Sequence, residues 1–578
     1  MYKGKGNRGV ITVLISLLLV GVLSVGTVAI EAGRYQAAKT QLAESGISVS
    51  TSMIAAYDSD LYARYGLLAI DTERFTPERA TDYLTFNADQ AIGYRGNNLS
   101  RLYAIDSVEL TGLYNLTYPM VMQRQILSRA KYHIVPQDHA FNVSTMDAFL
   151  TEFLAKCNVV YSCLSWPVIF GSFPEGTASD VPADMKNALK LMSETYATIE
   201  IADPECDILL TGSTVSLLPS RTGMVETDVP DEDLVMINSA HIDAVSVLGG
   251  AGAGLNNNAG PVANQTDVTI PVPDLQTMQS NLDNIVLNGQ SAEAVRGIAQ
   301  QLRESINAMR AAINVLKADK ESNLLLNSYI AEYFSNRSNT VNTAVAPERG
   351  SGSGMENANF VSACVEYVFG GSADEQLNQT EAWSYLQLIR LINNLYTLLN
   401  VEDLSAMETL YKLAALISWA NYESLIDMEL MSKYSVAVPF NKNAPILPMD
   451  AAASVASAFA GKNSADALKQ LGYFDSTKNT FVIDGAYAFT YRDSLGFGLW
   501  FVPNTDKLMR TADLIQLEMR YRQQYQEHKT ATFLMSEQNT FCRVKCMGKF
   551  NPVLPLLSLD TGNTTRGVAF QSIKYAGY

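Results

Sequence analysis

The feature that most constrains this chain is an uncharged apolar run near its N-terminus. VITVLISLLLVGVLSVGTVAI, Val10 to Ile30, holds 21 residues without an Asp, Glu, Lys or Arg. At about 1.5 Å per residue, a helix of this length spans roughly 31 Å, the thickness of a bilayer's hydrocarbon core. A buried soluble helix is the bland alternative, and a cleavable signal peptide is the other. Apolar regions of signal peptides run to roughly 7–15 residues, shorter than this one. The run also flows into a helical pattern without a break, and Thr27-Val28-Ala29 is a poor small-x-small cleavage site. The expectation is a retained signal anchor, held in the bilayer through Val10, Leu14, Leu18, Val22 and Ile30. Residues 1–9 carry Lys3, Lys5 and Arg8 and no acid. The excess of basic residues predicts a cytoplasmic tail and an extracellular remainder.

The helix is expected to continue outward. Residues 31–45, EAGRYQAAKTQLAES, are rich in Ala and Gln and lack Pro. Glu31 and Arg34 sit at i, i+3 and can pair on one face. Gly33 and Ala37 are four apart, a spacing that lets a second helix approach closely; a solvated helix face is the plainer reading. Glu31, Gly33, Arg34 and Ala37 are the candidate helix-packing residues.

A chain of 578 residues exceeds one ordinary core and implies several domains. The share of apolar residues, 47%, is that of a folded protein and excludes wholesale disorder. The net charge of −17, with three positive charges in the tail, leaves −20 on the remainder. Such an acidic chain lacks the electrostatic footprint of a nucleic-acid binder. Four histidines, His133, His139, His241 and His528, leave little for a His-rich metal site or a His-dependent catalytic site.

The segment GNRGVITVLISLLLVGVLSVGTVAIEAGRYQAAKTQLAESG resembles the N-terminus of TadE/TadG-like proteins of the Flp (Tad) pilus assembly system. The matching residues are Gly9, Glu31, Gly33, Arg34, Tyr35, Ala37, Ala38 and Gln41. One feature departs from true prepilins: cleavage after Gly9 puts Leu14 at the fifth mature position, where a prepilin usually has Glu. The resemblance therefore points to the uncleaved, TadG-like variant. Three later blocks, 365–400, 416–442 and 491–520, resemble an uncharacterised domain family of Gram-positive bacterial membrane proteins that lie among Flp pilus genes. Together the resemblances imply a non-enzymatic, membrane-anchored accessory or minor component of a Flp/Tad-type pilus or secretion assembly. Its implied partners are the lipid bilayer and pilin-like or Tad assembly membrane proteins. An anchored adhesion module and an anchored cell-wall hydrolase are the alternatives.

The predicted fold class is α+β, rich in α, with a mostly helical ectodomain and a minor antiparallel β component. After the tail (1–9) and the transmembrane helix (10–30), residues 31–135 read as an extended helix plus a small α/β module. Leu61, Tyr65 and Leu68 share a helical face, Pro77 opens a helix, residues 103–117 alternate as one or two strands, and Pro119 opens another helix. A mixed region (136–245) leads to a Gly/Asn/Pro-rich linker (246–274). Its Gly spacing fails the GxGxxG pattern and no GK[ST] follows, which excludes a phosphate-cradling loop. Residues 275–346 read as a helical hairpin. Asp274 caps its first helix and Asn288-Gly289 ends it. The second carries a stripe of Val295, Ile298, Leu302, Ile306, Met309, Ile313 and Leu316, expected to pack on the first. A flexible loop (347–354) precedes a helical domain (355–536), in which Ser405 and Glu408 form a capping-box pattern. Residues 537–578 alternate as C-terminal strands, with Cys542, Val544 and Cys546 on one face.

Candidate chemistry is sparse. Six cysteines outside the membrane permit disulfides; Cys157 and Cys163 are the candidate pair by proximity. Cys542 and Cys546, four apart in a strand, lie roughly 13 Å from each other, beyond disulfide reach. No G-x-S-x-G, HExxH or EF-hand pattern occurs, and no cofactor is indicated. Glu366, Glu423, Asp427, Asp493 and Asp513 stand in apolar-rich blocks with Arg390, Arg492 and Arg510. Buried acids need partners, so internal ion pairs are expected; a carboxylate pair for glycoside hydrolysis is the sharper alternative.

Overall fold

The computed structural model describes residues 8–70, 74–92, 102–133, 143–169, 173–196, 270–316, 320–338, 364–372, 375–401, 409–523, 527, 533–550, 552 and 568–578. Its architecture is α+β and dominated by helices.

The chain begins with one unbroken helix, α1 (Arg8–Ala55). Nothing in its 48 residues breaks it, for there is no Pro, and Ser16, Ser24 and Thr27 return their hydroxyls to carbonyls one turn back. A short helix, α2 (Ser59–Tyr65), is capped by the Asp58 carboxylate and stopped by Gly66 in the left-handed region. Leu68 therefore falls outside the helix whose face it was expected to share. Next come α3 (Pro77–Ile92), β1 (Tyr103–Asn115) and α4 (Pro119–His133), each where its Pro or its alternation predicted.

Among the described residues, β1 has no sequence-local partner. It pairs antiparallel with β6 (Asn539–Phe550), which pairs antiparallel with β7 (Val568–Gly577), giving the order β1-β6-β7. The C-terminal strands thus complete a sheet with the N-terminal module, and α1 and α3 cover one face of it. This module has its own small core: Ala38, Leu42, Val49 and Met53 of α1 meet Val108, Cys542, Val544, Cys546 and Phe570 of the sheet.

The rest of the described chain forms a helical body between β1 and β6. It comprises α4, α5 (Val143–Ile169), α6 (Ala183–Tyr196), α7 (Leu275–Asn288), α8 (Glu293–Leu316), α9 (Lys320–Tyr333), α10 (Cys364–Gly370), α11 (Glu375–Val401) and α12 (Leu410–Lys433). Then follow β2 (Val438–Lys442), α13 (Ala452–Phe459), α14 (Ser464–Gln470), the small β3 (Phe474–Asp475) and β4 (Thr480–Phe481), β5 (Gly485–Phe489), α15 (Tyr491–Gly498) and α16 (Asn504–Tyr521). At its centre α12 is buried on nearly every side and packs most extensively on α11. β2 and β5 form a two-stranded antiparallel ladder that the sequence reading did not contain.

α7 begins and ends as predicted: the Asp274 carboxylate accepts from the amides of Gln276 and Thr277, and Gly289 closes the helix at φ 69°. The apolar stripe of α8 is buried from Val295 to Ile313. Its principal neighbour is α5, however, while α7 turns away to pack on α12 and α6. The two helices do not form a self-contained hairpin, because each buries its apolar stripe chiefly against another helix, α8 on α5 and α7 on α12. The capping pattern of Ser405 and Glu408 lies outside the described residues; the described cap of α12 is Thr409. His139, His241, His528, Cys206, the 347–354 loop and most of the 246–274 linker also lie outside them.

One expectation is corrected outright. Cys157 and Cys163 are both free and lie on the single helix α5. Six helical residues separate their Cα atoms by about 9 Å along the axis and point the side chains to different faces, so no bridge can close. Burial pushes the Cys157 thiol up to about 12 and the Cys163 thiol to about 11. The strand reading of Cys542 and Cys546 holds: both sit on the buried face of β6 as free thiols.

Candidate functional site

Among the described residues, α1 is the one helix long and apolar enough to cross a membrane. Leu14, Leu18, Val22 and Ile30 are each about 60% exposed. A continuous apolar surface of this kind marks an interface with lipid or protein. At Glu31 the character of the helix changes. Glu31 is buried, with Arg34 3.5 Å away as the i, i+3 pattern predicted. From there one face seats on the sheet: the Tyr35 ring meets Phe550 and Phe570 edge-on at 5.6 and 5.8 Å, and Ala38, Leu42, Ser45, Val49 and Met53 follow at helical spacing. Gly46 lets helix and sheet approach closely, since a Cβ there comes within 3.2 Å of Lys574 Cγ. The chain's last residue pins the far end, with Tyr578 Oη donating to the carbonyl of Ile54.

The four predicted packing residues divide between two faces. Glu31 and Arg34 lie on the side turned to the sheet, whereas Gly33 and Ala37 lie on the opposite, exposed side. Among the described residues, nothing lies within 4 Å of where a Gly33 Cβ stands. The small-residue face of α1 is thus left open by the described residues.

The second group of predicted residues lies deep in the helical body. Glu423 and Asp427 are one turn apart on α12, fully buried, and both are met by Lys442 of β2 at 2.8 and 2.7 Å. Arg390 of α11 donates to Asp427 at 2.9 Å and to the Pro439 carbonyl at 3.0 Å. Asn394 adds a third contact to Asp427, and the Leu447 amide donates to Glu423 at 2.6 Å. Burial raises Glu423 above the usual carboxylate range against the pull of Lys442. Two acids and two cations neutralise one another here, as the ion-pair expectation required. A glycosidase pair needs one carboxyl free to act as an acid and room for a sugar; Glu423 and Asp427 are instead occupied by Lys442 and Arg390 inside a closed core.

The remaining acids also have structural partners. Asp493 completes a capping box with Thr490 on α15, Asp513 accepts from Tyr367 Oη at 2.7 Å, and Arg492 pairs with Glu332 at 3.1 Å. Arg510 donates to the carbonyls of Val368 and Phe369 that end α10. Glu366 accepts from the Arg337 amide at 2.9 Å and from Tyr491 Oη at 3.0 Å. Its burial lifts the carboxyl to about 7.

Sequence reasoning missed Lys442, Lys156 and the asparagines around them. The available signal was the Asn393-Asn394 pair in the otherwise apolar run of α11: adjacent amides in a buried helix imply a polar network. Lys156 of α5 reaches Asn393 Oδ1 at 2.6 Å and Asn441 Oδ1 at 2.5 Å. Among the described residues, no group of three or more His, Cys, Asp or Glu is placed to hold a metal ion.

Residues 275–546 match a family of unknown function (DUF5702), a span that runs from the start of α7 into β6. This agrees with the resemblance drawn from the 365–400, 416–442 and 491–520 blocks. No curated protein and no solved structure matches the chain.

Proposed function

We propose that this chain is a non-enzymatic, single-pass membrane protein serving as an accessory or minor component of a Flp/Tad-type pilus or secretion assembly. In this reading residues 10–30 cross the bilayer, the basic tail is cytoplasmic and the body is extracellular. The supporting observation is the division of α1 into two faces. One seats on the chain's own sheet through Tyr35, Ala38 and Leu42, and the other leaves Gly33 and Ala37 exposed among the described residues. A helix that is apolar all round and then exposes small residues at i, i+4 suits lateral packing beside other membrane helices. Pilin-like helices are the partner that the N-terminal resemblance implies.

The test is site-specific photo-crosslinking in intact cells. A photoreactive residue at Gly33 or Ala37 is expected to capture pilin-like subunits or assembly membrane proteins, and one at Ala38 to capture only this chain's own sheet. Recovery of the chain alone from both positions, or of wall polymer instead, overturns the reading.

A further inference from the structure

Lys156 is an unusual buried cation. It sits on α5 among aromatic rings, its Nζ 5.3 Å from the Tyr396 ring centre and 5.7 Å from that of Phe440. The nearest acid, Glu152, lies one helical turn away at 3.9 Å, too long for a hydrogen bond, and its side chain is 46% exposed. Nζ donates instead to two neutral carboxamides, Asn393 and Asn441. Burial holds the amine down at about 8, with Arg390 acting in the same direction and Glu152 and Cys157 opposing. Part of the population is therefore the free, nucleophilic amine near neutral pH.

The two amides differ in what holds their nitrogen. Asn393 Nδ2 donates to the Phe440 carbonyl, a fixed backbone group. Asn441 Nδ2 donates to Glu152 Oε1 at 2.6 Å. Asn441 thus has an amine at its oxygen and a carboxylate at its leaving nitrogen. This is the set of groups that amide exchange needs: a nucleophile, an electrophile and a proton carrier in hydrogen-bond reach.

We propose that Lys156 and Asn441 form an intramolecular isopeptide bond, with Glu152 carrying the proton. The carboxamide turns so that Cγ faces the amine. The Nζ lone pair adds to Cγ, and Glu152 takes the proton the amine sheds and delivers it to Nδ2. The Cγ–Nδ2 bond then breaks and ammonia leaves. A Cγ–Nζ amide remains, Glu152 is restored, and no oxidant or co-reactant enters. Asn393 Oδ1 acts as a positioning group that holds Nζ. The bond joins α5 to β2 across 285 residues of chain, a closure that removes much of the unfolded chain's freedom. It staples the body without sulfur chemistry, in a protein whose described cysteines are all free.

The test is mass spectrometry of the full-length chain extracted from its membrane, read on proteolytic fragments so that N-terminal processing does not matter. The expected product is one branched species joining the Lys156 and Asn441 peptides, lighter than the sum of the two linear peptides by one ammonia. K156R and N441A are expected to abolish it, and N393A to slow it while leaving Asn441 as the acceptor. E152Q alters a half-exposed side chain and spares the core; it is expected to yield a folded chain with both peptides linear. Linear Lys156 and Asn441 peptides in the folded wild-type chain, even after prolonged incubation, overturn the proposal. So does a branch at Asn393, and branching in E152Q at the wild-type rate removes Glu152 from the role.

Discussion

Around α1 the interior is mainly apolar. Leu42, Val49 and Met53 meet Val544, Cys542 and Cys546, and the ion pairs of the sheet, Lys545 with Glu109 and Lys549 with Asp106, are solvent-accessible. Around α12 the interior is charged: Glu423, Asp427, Arg390 and Lys442 are all nearly or wholly removed from water. Two designs coexist in one chain. The small module relies on area removed from water, which tolerates imprecise neighbours. The large body adds buried charges, which tolerate few, because a charge left without its partner in a core is costly. The body is therefore expected to be the more brittle of the two when a single side chain is removed.

Asp427→Ala is the hardest blow to that contrast. It leaves Arg390 and Lys442 buried with their shared carboxylate gone, at a cost of about 3–5 kcal/mol. Chemical denaturation of the detergent-solubilised chain measures it, and a loss below about 1 kcal/mol would mean that the cluster is not the electrostatic centre of the body. Leu42→Ala is the counterpart in the apolar module. It opens a cavity between α1 and the sheet and is expected to cost roughly 3 kcal/mol. Hydrogen exchange should show the loosening in β1, β6 and β7 and not in α12; faster exchange in both would mean that the two regions unfold as one unit.

How far this contrast was legible beforehand depends on the range of the forces involved. Local chemistry was readable: the uncharged run of α1, the Asp274 cap, the Gly289 stop, the Pro77 and Pro119 helix starts and the alternation of β6. Each is decided within a few residues by backbone sterics or periodicity. Pairing at a distance was not. Nothing in residues 103–115 names 539–550 as the partner strand, because alternation identifies a strand without its neighbour. The stripe of α8 was visible but its docking on α5 was not, since an apolar stripe fits any apolar groove. The acids and arginines of the buried cluster were picked out, yet Lys442 was not, because it reaches α12 only through the unforeseen turn into β2. At α1, helical spacing grouped Glu31 and Arg34 with Gly33 and Ala37, and only the position of the sheet separates the inner from the outer pair.

Glu366 sharpens the comparison through pH. Its folded carboxyl titrates near 7 against an ordinary value of 4.5, raised by burial and restrained by the Arg337 amide, by Tyr491 and by the Arg337 charge. A raised acid favours the folded state while it is protonated. Its contribution is fully present below pH 4.5 and is lost as pH rises to 7, a swing on the order of 3 kcal/mol. Glu366→Gln, neutral at every pH, is expected to flatten stability across that window and to be the more stable form at pH 8. A wild-type profile that is already flat between pH 4.5 and 7, or a variant that follows the wild-type slope, would remove Glu366 from this account. No corresponding window is expected from the thiols of the apolar module, since burial lifts Cys542 to about 12 and Cys546 to about 11, far above the range.

The smallest effect belongs to the ion pairs of the sheet. Glu109 and Lys545 face each other across β1 and β6 at 2.9 Å, with the Glu109 side chain 51% exposed. Water screens such a pair, and holding two long side chains in register offsets much of the attraction. A double-mutant cycle of Glu109→Ala and Lys545→Ala is expected to give a coupling of about 0.2–0.5 kcal/mol, vanishing near 1 M salt as the screening length falls to about 3 Å. The same cycle on Arg390 and Asp427 is expected to give a several-fold larger value that salt barely moves, because no counter-ion reaches a pair closed off by α11, α12 and β2. Equal couplings at the two sites, or equal salt sensitivity, would mean that burial does not set the strength of charge pairing in this chain. The contrast between its two regions would then rest on packing alone.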